Sequence, residues 1–112
     1  MKEIILRING GNIFENLPEN NNDEIFERLL TNENFIIERI VSDGHKSPED
    51  FWYDQPTDEF VILLKGSAQI EFEEGESIIL KPGDYILIPA RKKHRVEWTD
   101  LNEKTFWMAV HY

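Results

Sequence analysis

The chain has 112 residues, of which 40% are hydrophobic, and its formal net charge is −10. Seven Phe, three Trp and three Tyr exclude a disordered chain, and the lack of cysteine excludes disulfides and thiolate metal sites. The acidic balance argues against nucleic acid as a partner. No segment approaches the ~20 apolar residues that span a bilayer, and charges interrupt the first apolar stretch. We therefore expect a cytoplasmic protein that does not associate with membranes.

The first third of the chain is predicted to contain a strand and a short helix. Residues 2–8 alternate enough to form an edge strand. Asn and Asp at 20–23 precede apolar residues at helical spacing over 24–30, which is typical of a capped short helix. Residues 35–41 form a β-prone run.

The remainder of the chain repeats a pattern of strand and turn. The predicted strands cover residues 59–64, 68–72, 77–80, 85–88, 94–98 and 105–112. Short strands about ten residues apart, separated by Gly and Pro, indicate a sandwich or barrel. No helical pattern lies between them, which disfavours a parallel α/β fold. We expect one mainly all-β domain, with the strand and helix in residues 1–34 and the barrel in residues 35–112.

Period-two alternation assigns the side chains of each strand to two faces. His94 falls on the apolar, inward face, together with Val96 and Trp98. Tyr53 and Gln55 also share a face, in an aromatic and polar stretch before the predicted strand 59–64. The last strand places three residues on one face: Trp107, Ala109 and His111.

The spacing of these residues resembles the first motif of the cupin family, which are small double-stranded β-helix proteins. The end of that motif is a Glu, six residues and a Gly, and Glu59 and Gly66 match it. The two His that precede the Glu in the family fall on Tyr53 and Gln55, and Ser47 stands at the first Gly.

The second cupin motif is matched more fully. Gly83, Pro89 and His94 stand at the spacing of the motif, whereas Arg91 replaces its second Gly and Trp98 replaces its final Asn. The resemblance covers residues 35–112 and implies a jelly-roll barrel. It also implies a homodimer, since small cupins commonly pair.

The resemblance further implies one divalent metal ion in the barrel. The ligands that it assigns are Gln55, Glu59 and His94, and His45 in a nearby loop is a further candidate. Mixed oxygen and nitrogen donors suit Zn, Mn, Fe or Ni. Glu59 and His94 are also the candidate catalytic groups. Each of these residues also has a structural alternative. Glu59 would then be a half-exposed carboxylate, His94 a hydrogen-bonded core residue and His45 an exposed loop residue.

The walls of the expected pocket are aromatic and polar. The residues assigned to them are Tyr53, Trp98, Trp107 and His111. Such a pocket suits a small polar organic molecule, although aromatic residues of a small β domain are more often core, and a penultimate His can lie on a frayed end.

The same pocket is compatible with two functions, as an enzyme or as a binding module. As an enzyme, the protein would use its metal as a Lewis acid or to activate dioxygen. As a binding or sensor module, it would capture a small molecule without metal, and a purely structural dimer is a third hypothesis. The basic run 91–95 is interpreted as a solvated turn, with a local anion site as the alternative.

Overall fold

The computed structural model describes residues 10–17 and 23–112, and these form an all-β fold without a helix. The strands are β1 (Ile25–Thr31), β2 (Ile36–Ser42), β3 (Glu59–Lys65), β4 (Ala68–Phe72), β5 (Ser77–Leu80), β6 (Tyr85–Ile88), β7 (His94–Thr99) and β8 (Thr105–His111). The described part of the chain accordingly has no helix long and apolar enough to cross a membrane.

The strands form two antiparallel sheets that pack face to face. One sheet has the order β1-β2-β8-β3-β6 and the other has the order β5-β4-β7. Both sheets contribute to a single apolar core, in which Leu63 and Trp107 of the first sheet join Ala68, Ile70 and Leu80 of the second. Sandwiched antiparallel sheets of this kind are the jelly-roll arrangement, so the predicted all-β barrel is confirmed.

The helix predicted over residues 24–30 is wrong, because this segment is strand β1. Ile25 pairs with Val41 of β2, but the register shifts between Arg28 and Leu30. The extra residue at Leu29 is a β-bulge, which breaks the period-two alternation. The apolar residues consequently stand at helix-like spacing although the backbone is extended. The strand predicted over residues 2–8 lies outside the described residues.

A buried arginine holds the N-terminal segment, residues 10–17, on the outer face of the larger sheet. Arg39 is 5% exposed, and its guanidinium contacts Glu27 on the neighbouring strand. It also donates to the carbonyl oxygens of Ile13 and Glu15, at 3.2 and 2.6 Å. Phe14 of this segment packs edge-on against Phe106. The segment thus covers Arg39 and Phe106 on the side of the sheet opposite the core.

Gly66 occupies a position that no other residue can share without strain. Its φ is +89°, and a Cβ placed there would lie 2.7 Å from the Cα of Thr105. Both the turn and the close approach of the last strand require glycine. This accounts for the glycine that follows Glu59 in the sequence motif.

Candidate functional site

A small cavity lies between the two sheets near the ends of β2, β3, β7 and β8, and we call it the inner pocket. It has a volume of about 50 Å³ and is lined by Glu24, Phe26, Glu38, Ile40, Tyr53, Gln55, Glu59, Val61, Ile70, Ile88, His94, Val96, Trp107 and His111. A cavity of ~10–15 Å³ measured in this way already holds one water. The inner pocket therefore has room for an ion or one polar group of a larger molecule.

Six of the residues singled out in the sequence meet in this pocket. They are Tyr53, Gln55, Glu59, His94, Trp107 and His111. The alternation of β3, β7 and β8 positions four of them, because Glu59, His94, Trp107 and His111 lie on the inward faces of these strands.

Tyr53 and Gln55 reach the inner pocket from a segment that lies before β3. This segment is held by backbone hydrogen bonds rather than by a full strand ladder. Tyr53 N donates to His94 O at 2.7 Å, and His94 N donates to Tyr53 O at 3.2 Å. Arg91 N donates to Gln55 O at 2.8 Å, and Arg91 has a φ of +67°. Arg91 thus takes the left-handed conformation at the position where the cupin motif has glycine, and its amide helps to fix Gln55.

Glu59 and His94 form an open pair at the centre of the pocket. Glu59 is 7% exposed and His94 is 6% exposed. His94 Nε2 lies 3.6 Å from Glu59 Oε1, which is too long for a direct hydrogen bond. Glu59 Oε1 is buried without any hydrogen-bond partner among the described residues. A buried carboxylate oxygen without a partner is costly, so the site favours a bound species with positive character.

The hydrogen bonding of His94 shows which of its ring nitrogens faces the bound species with a lone pair. His94 Nδ1 lies 2.9 Å from the carbonyl oxygen of Lys92, so Nδ1 carries the proton that it donates. In the neutral ring, Nε2 then presents its lone pair to Glu59. Two donors bound to one ion at about 2.1 Å in a tetrahedral arrangement lie about 3.4 Å apart. The observed 3.6 Å therefore fits two ligands of a common divalent ion.

Glu59 and His94 have no third acidic, imidazole or thiolate ligand beside them in the described ranges. Within residues 10–17 and 23–112, no three His, Cys, Asp or Glu side chains converge in a way that would hold a metal. Gln55 also lines the pocket and offers a neutral amide oxygen. The residues therefore fit a divalent ion held by one carboxylate, one imidazole and one amide, which is a weaker donor set than three imidazoles and a carboxylate.

His111 belongs to a second pair, which is closed. Its Nε2 lies 2.8 Å from Glu38 Oε1. This hydrogen bond raises the pKa of His111 against the opposing effect of burial, and the charge of Glu59 raises it further. Because Glu38 already occupies Nε2, this nitrogen is not available to a metal.

The phenol of Tyr53 stays protonated in the pocket. Burial raises the pKa of its phenol to about 12, and the charges of Glu24, Glu59 and Glu38 act in the same direction. Its ring stacks on that of His94, with centroids 5.4 Å apart. Tyr53 is therefore a neutral hydrogen-bond donor at any physiological pH.

Two carboxylates of the pocket were not singled out from the sequence. Glu24 accepts from the hydroxyl of Ser42 at 2.5 Å, and that hydroxyl accepts from Trp107 Nε1 at 3.1 Å. Glu38 lies opposite Arg28 in the β1-β2 pairing. In the sequence, the one sign that Glu38 faces the pocket is its position between Ile36 and Ile40 on the same face of the strand.

Trp98 does not line the inner pocket, in contrast to the expectation from alternation. Gln69 pairs with Trp98 and Ile70 pairs with Val96, so the register shifts between them. The extra residue, Glu97, forms a bulge that turns Trp98 to the outer face of the smaller sheet. There Trp98 Nε1 donates to Gln69 Oε1 at 2.7 Å.

His45 also lies away from the pocket lining. Its Nδ1 accepts from the backbone N of Asp43 at 2.9 Å, and its carbonyl oxygen accepts from the hydroxyl of Thr99 at 2.5 Å. The ring thus stabilises the turn after β2 and is not placed with Glu59 and His94.

The basic run 91–95 forms surface ion pairs. Lys92 lies 3.5 Å from Glu74 and from Glu76, and Lys93 lies 3.9 Å from Glu73. Exposed pairs of this kind contribute little free energy. The pairing supports the interpretation of this run as a solvated turn.

The fold and the pocket define a small jelly-roll barrel with ionisable groups at one end of its core. The profile of the family described as "Cupin domain" matches residues 39–111, and the chain belongs to the cupin family. The matched range includes Gln55, Glu59, His94 and His111, so these lining residues of the inner pocket lie within the cupin domain.

Solved structures of cupins are similar to this chain. The "putative mannose-6-phosphate isomerase" of Ralstonia eutropha JMP134 is 48% identical, with a TM-score of 0.86 over 91% of this chain and 95% of that chain. A cupin superfamily protein of Desulfitobacterium hafniense DCB-2 is 20% identical, with a TM-score of 0.69 over 85% and 82%. An RmlC-like cupin of Methanocaldococcus jannaschii with a double-stranded β-helix fold is 19% identical, with a TM-score of 0.66 over 86% and 85%. No curated protein is significantly similar to the chain.

Proposed function

We propose that this cupin holds a divalent cation at Glu59, His94 and Gln55, and that the inner pocket binds one polar end of a small organic molecule. The observation that carries the proposal is the open pair. Glu59 Oε1 is buried without a hydrogen-bond partner and faces His94 Nε2 across 3.6 Å. Two buried acceptors at this separation are stabilised by a cation between them.

The residues around the pair have distinct tasks. A divalent ion, when bound, supplies Lewis acidity toward a ligand oxygen. Tyr53 donates a hydrogen bond from a phenol that stays protonated, and Gln55 offers both a donor and an acceptor. Val61, Ile70 and Ile88 contribute apolar side chains to the lining, which limit the access of water to the polar groups. These features suit the orientation of a hydroxyl or carbonyl group.

A cupin that binds a small molecule without metal is the second candidate. It is favoured by the closed Glu38–His111 pair, which leaves Glu59 and His94 without a third acidic or imidazole donor in the described part of the chain. In that case a hydrogen-bond donor of the ligand would satisfy Glu59 Oε1. The protein would then act as a sensor or accessory module rather than as an enzyme.

The similarity to the Ralstonia eutropha protein suggests a sugar phosphate as one ligand to test. Aldose–ketose isomerisation moves a proton between neighbouring carbons and needs a general base. Glu59 would serve this role, because Nδ1 of His94 is protonated and its Nε2 is assigned to the cation. No Lys or Arg stands in the inner pocket among the described residues, however. We therefore expect a phosphate group to stay outside it, and mannose 6-phosphate is the first substrate to assay.

A calorimetric titration of chelator-treated protein with Zn²⁺ and with Mn²⁺ tests the proposal. We expect one equivalent to bind, and Glu59→Gln to weaken binding by about 100-fold or more, beyond the 10–100-fold range typical of groups that only support a ligand. The matched control is Glu38→Gln, the same chemical change in the same pocket, which should weaken binding less than about 10-fold.

Equal losses in the two variants, or no stoichiometric binding by the wild type, would contradict the cation site. The same protein without metal, titrated with mannose 6-phosphate and with mannose, tests the second candidate. Binding that needs no metal and is lost in Glu59→Gln would favour the binding module over the enzyme.

We also propose that the protein is a cytoplasmic homodimer, paired through strand β1. Among the described strands β1 has a neighbour on one side only. It also exposes three large apolar residues, since Phe26, Leu29 and Leu30 are each about half exposed. Exposed edge strands invite pairing with another chain. Light scattering of Leu30→Lys, compared with wild type, should show a shift from dimer to monomer, and an unchanged mass would contradict this interface.

A further inference from the structure

A second, wider cavity opens beside the inner pocket, and we call it the outer groove. Its volume is about 430 Å³. Glu38, Gln55 and His111 line both the outer groove and the inner pocket, so the two spaces adjoin through these three residues. Arg28, Asn32 and Thr57 are among the residues that line only the groove. A molecule that enters the inner pocket from this side passes along Arg28.

Arg28 brings a full positive charge to the groove. It lies on β1 directly opposite Glu38 in the strand pairing, yet the carboxylate of Glu38 is bonded to His111. Among residues 10–17 and 23–112, no side chain forms an ion pair or hydrogen bond with Arg28. With respect to the described residues, the guanidinium therefore has its donors available, in the planar arrangement that binds carboxylate or phosphate through two hydrogen bonds.

The two cavities differ in one charge, because an arginine lines the outer groove and none lines the inner pocket among the described residues. Glu24, Glu38 and Glu59 line the inner pocket, and no Lys or Arg does so in the described part of the chain. The groove adds Arg28 beside His111, and it also carries the carboxylate of Glu33. An anionic group is repelled by the carboxylates and attracted by Arg28, so the charges orient a ligand that is anionic at one end only.

We infer that the outer groove binds the anionic group of the ligand through Arg28, while the uncharged polar end of the same molecule reaches Gln55 and the inner pocket. The inference rests on the proposed function, because the polar end uses the proposed cation site. The ligand class is a small hydroxylated carboxylic acid or phosphate ester.

The strand order separates the two charged groups. Arg28 on β1 and Glu59 on β3 have β2 and β8 between them, and the pairing places Arg28 in the row of Val61, two residues along β3 from Glu59. Three strand spacings and two residues along a strand place their backbones roughly 16 Å apart. A ligand that reaches both the groove and the inner pocket is therefore extended.

Three probes of equal carbon length test the inference, namely gluconate, sorbitol 6-phosphate and uncharged sorbitol. Each is titrated into protein with and without one equivalent of Zn²⁺. We expect both anions to bind at least about 10-fold more tightly than sorbitol, and Arg28→Gln to remove this preference. Lys81→Gln is the matched control, because it removes the same charge from an exposed turn far along the chain, and it should keep the preference. Comparison of the affinities of gluconate and sorbitol 6-phosphate shows whether a carboxylate or a phosphate is preferred.

Three outcomes would overturn the inference: equal affinity for all three probes, a preference that survives in Arg28→Gln, or no binding of either anion. Circular dichroism of Arg28→Gln shows whether the variant is folded, and Arg28→Lys, which keeps the charge without the planar donors, should retain part of the preference. Zn²⁺ binding by Arg28→Gln separates the two proposals. Unchanged Zn²⁺ binding with no anion preference contradicts the outer groove alone, whereas a wild type that binds no Zn²⁺ contradicts the proposed function.

Discussion

The inner pocket contains two pairs of histidine and glutamate that differ in one respect. Glu38 and His111 are 2.8 Å apart and satisfy each other, whereas Glu59 and His94 are 3.6 Å apart, and Glu59 Oε1 has no hydrogen-bond partner among the described residues. The side chains of all four residues are largely buried. The same two residue types thus form a closed structural contact in one place and an open binding site in the other.

The difference arises from the strands that hold each pair. Glu59 pairs across the sheet with His111 and with Ile88, and His94 faces it from the opposite sheet. Glu38 and His111 lie on neighbouring strands of one sheet, near enough for direct contact. A pair that spans two sheets is kept apart by the packing of the core, which leaves room for an ion. We expect the two pairs to respond differently to the same substitutions.

The largest difference should appear when each histidine is replaced. His94→Gln removes the imidazole of the open pair, and we expect Zn²⁺ affinity to fall about 100-fold or more. His111→Gln removes the imidazole of the closed pair and should lower the affinity less than about 10-fold. Calorimetric titration of both variants measures this. Similar losses in the two variants would show that the pairs do not differ in the way proposed.

The pH at which Tyr53 ionises tests the surroundings of the open pair. Burial and three carboxylates raise its pKa to about 12, so its phenol should ionise well after an exposed tyrosine with a pKa near 10. Ultraviolet titration of wild type and Tyr53→Phe isolates its contribution. In Glu24→Gln the ionisation should move to lower pH, because one of the negative charges is removed. Ionisation of Tyr53 near pH 10 would contradict the described pocket.

The closed pair should contribute to stability in a pH-dependent way. The folded-state pKa of His111 is raised above its usual 6.5, chiefly by Glu38. Its contribution is therefore full below about pH 6.5 and is lost as the pH rises through the folded-state pKa. We expect wild type to lose about 1 kcal/mol more of its free energy of unfolding than His111→Gln between pH 6 and pH 9, after allowance for solvent screening. Urea unfolding at both pH values measures this. Parallel pH profiles of the two proteins would show that the contact is not formed.

The smallest effect is expected outside the pocket. Trp98 lies on the outer face, and Trp98→Phe removes its hydrogen bond to Gln69. We expect a loss of about 0.5–1 kcal/mol in the free energy of unfolding and a Zn²⁺ affinity within about 2-fold of wild type. A large loss of affinity in this variant would place Trp98 in the pocket, as simple alternation had predicted.

The strands that are bounded by Gly or Pro turns were predictable from the sequence. β4, β5 and β6 have the predicted limits, and β3 and β7 extend only one residue further. Turn residues set the ends of these strands locally, so the sequence pattern is sufficient to place them. The pocket positions of Glu59 and His94 followed from the motif spacing, which reflects the same turns.

The errors come from bulges and from pairing between distant segments. The bulge at Leu29 made β1 look helical, and the bulge at Glu97 turned Trp98 outward. A single added residue reverses every later side chain in a strand, and the sequence carries no local signal for it. Glu24 and Glu38 enter the pocket only because β1 and β2 pair beside β8, which is a long-range contact.

The three histidines of the chain allow the central claim to be tested directly. A long-range proton–nitrogen NMR spectrum of the imidazole rings, recorded before and after one equivalent of Zn²⁺, resolves both nitrogens of each ring, and His94→Gln assigns the signals. We predict that Nε2 of His94 shifts to the position of a metal-bound nitrogen while its Nδ1 stays protonated, and that neither His45 nor His111 gains a bound nitrogen. An unchanged His94 ring, or coordination at His111 instead, would contradict the proposed cation site.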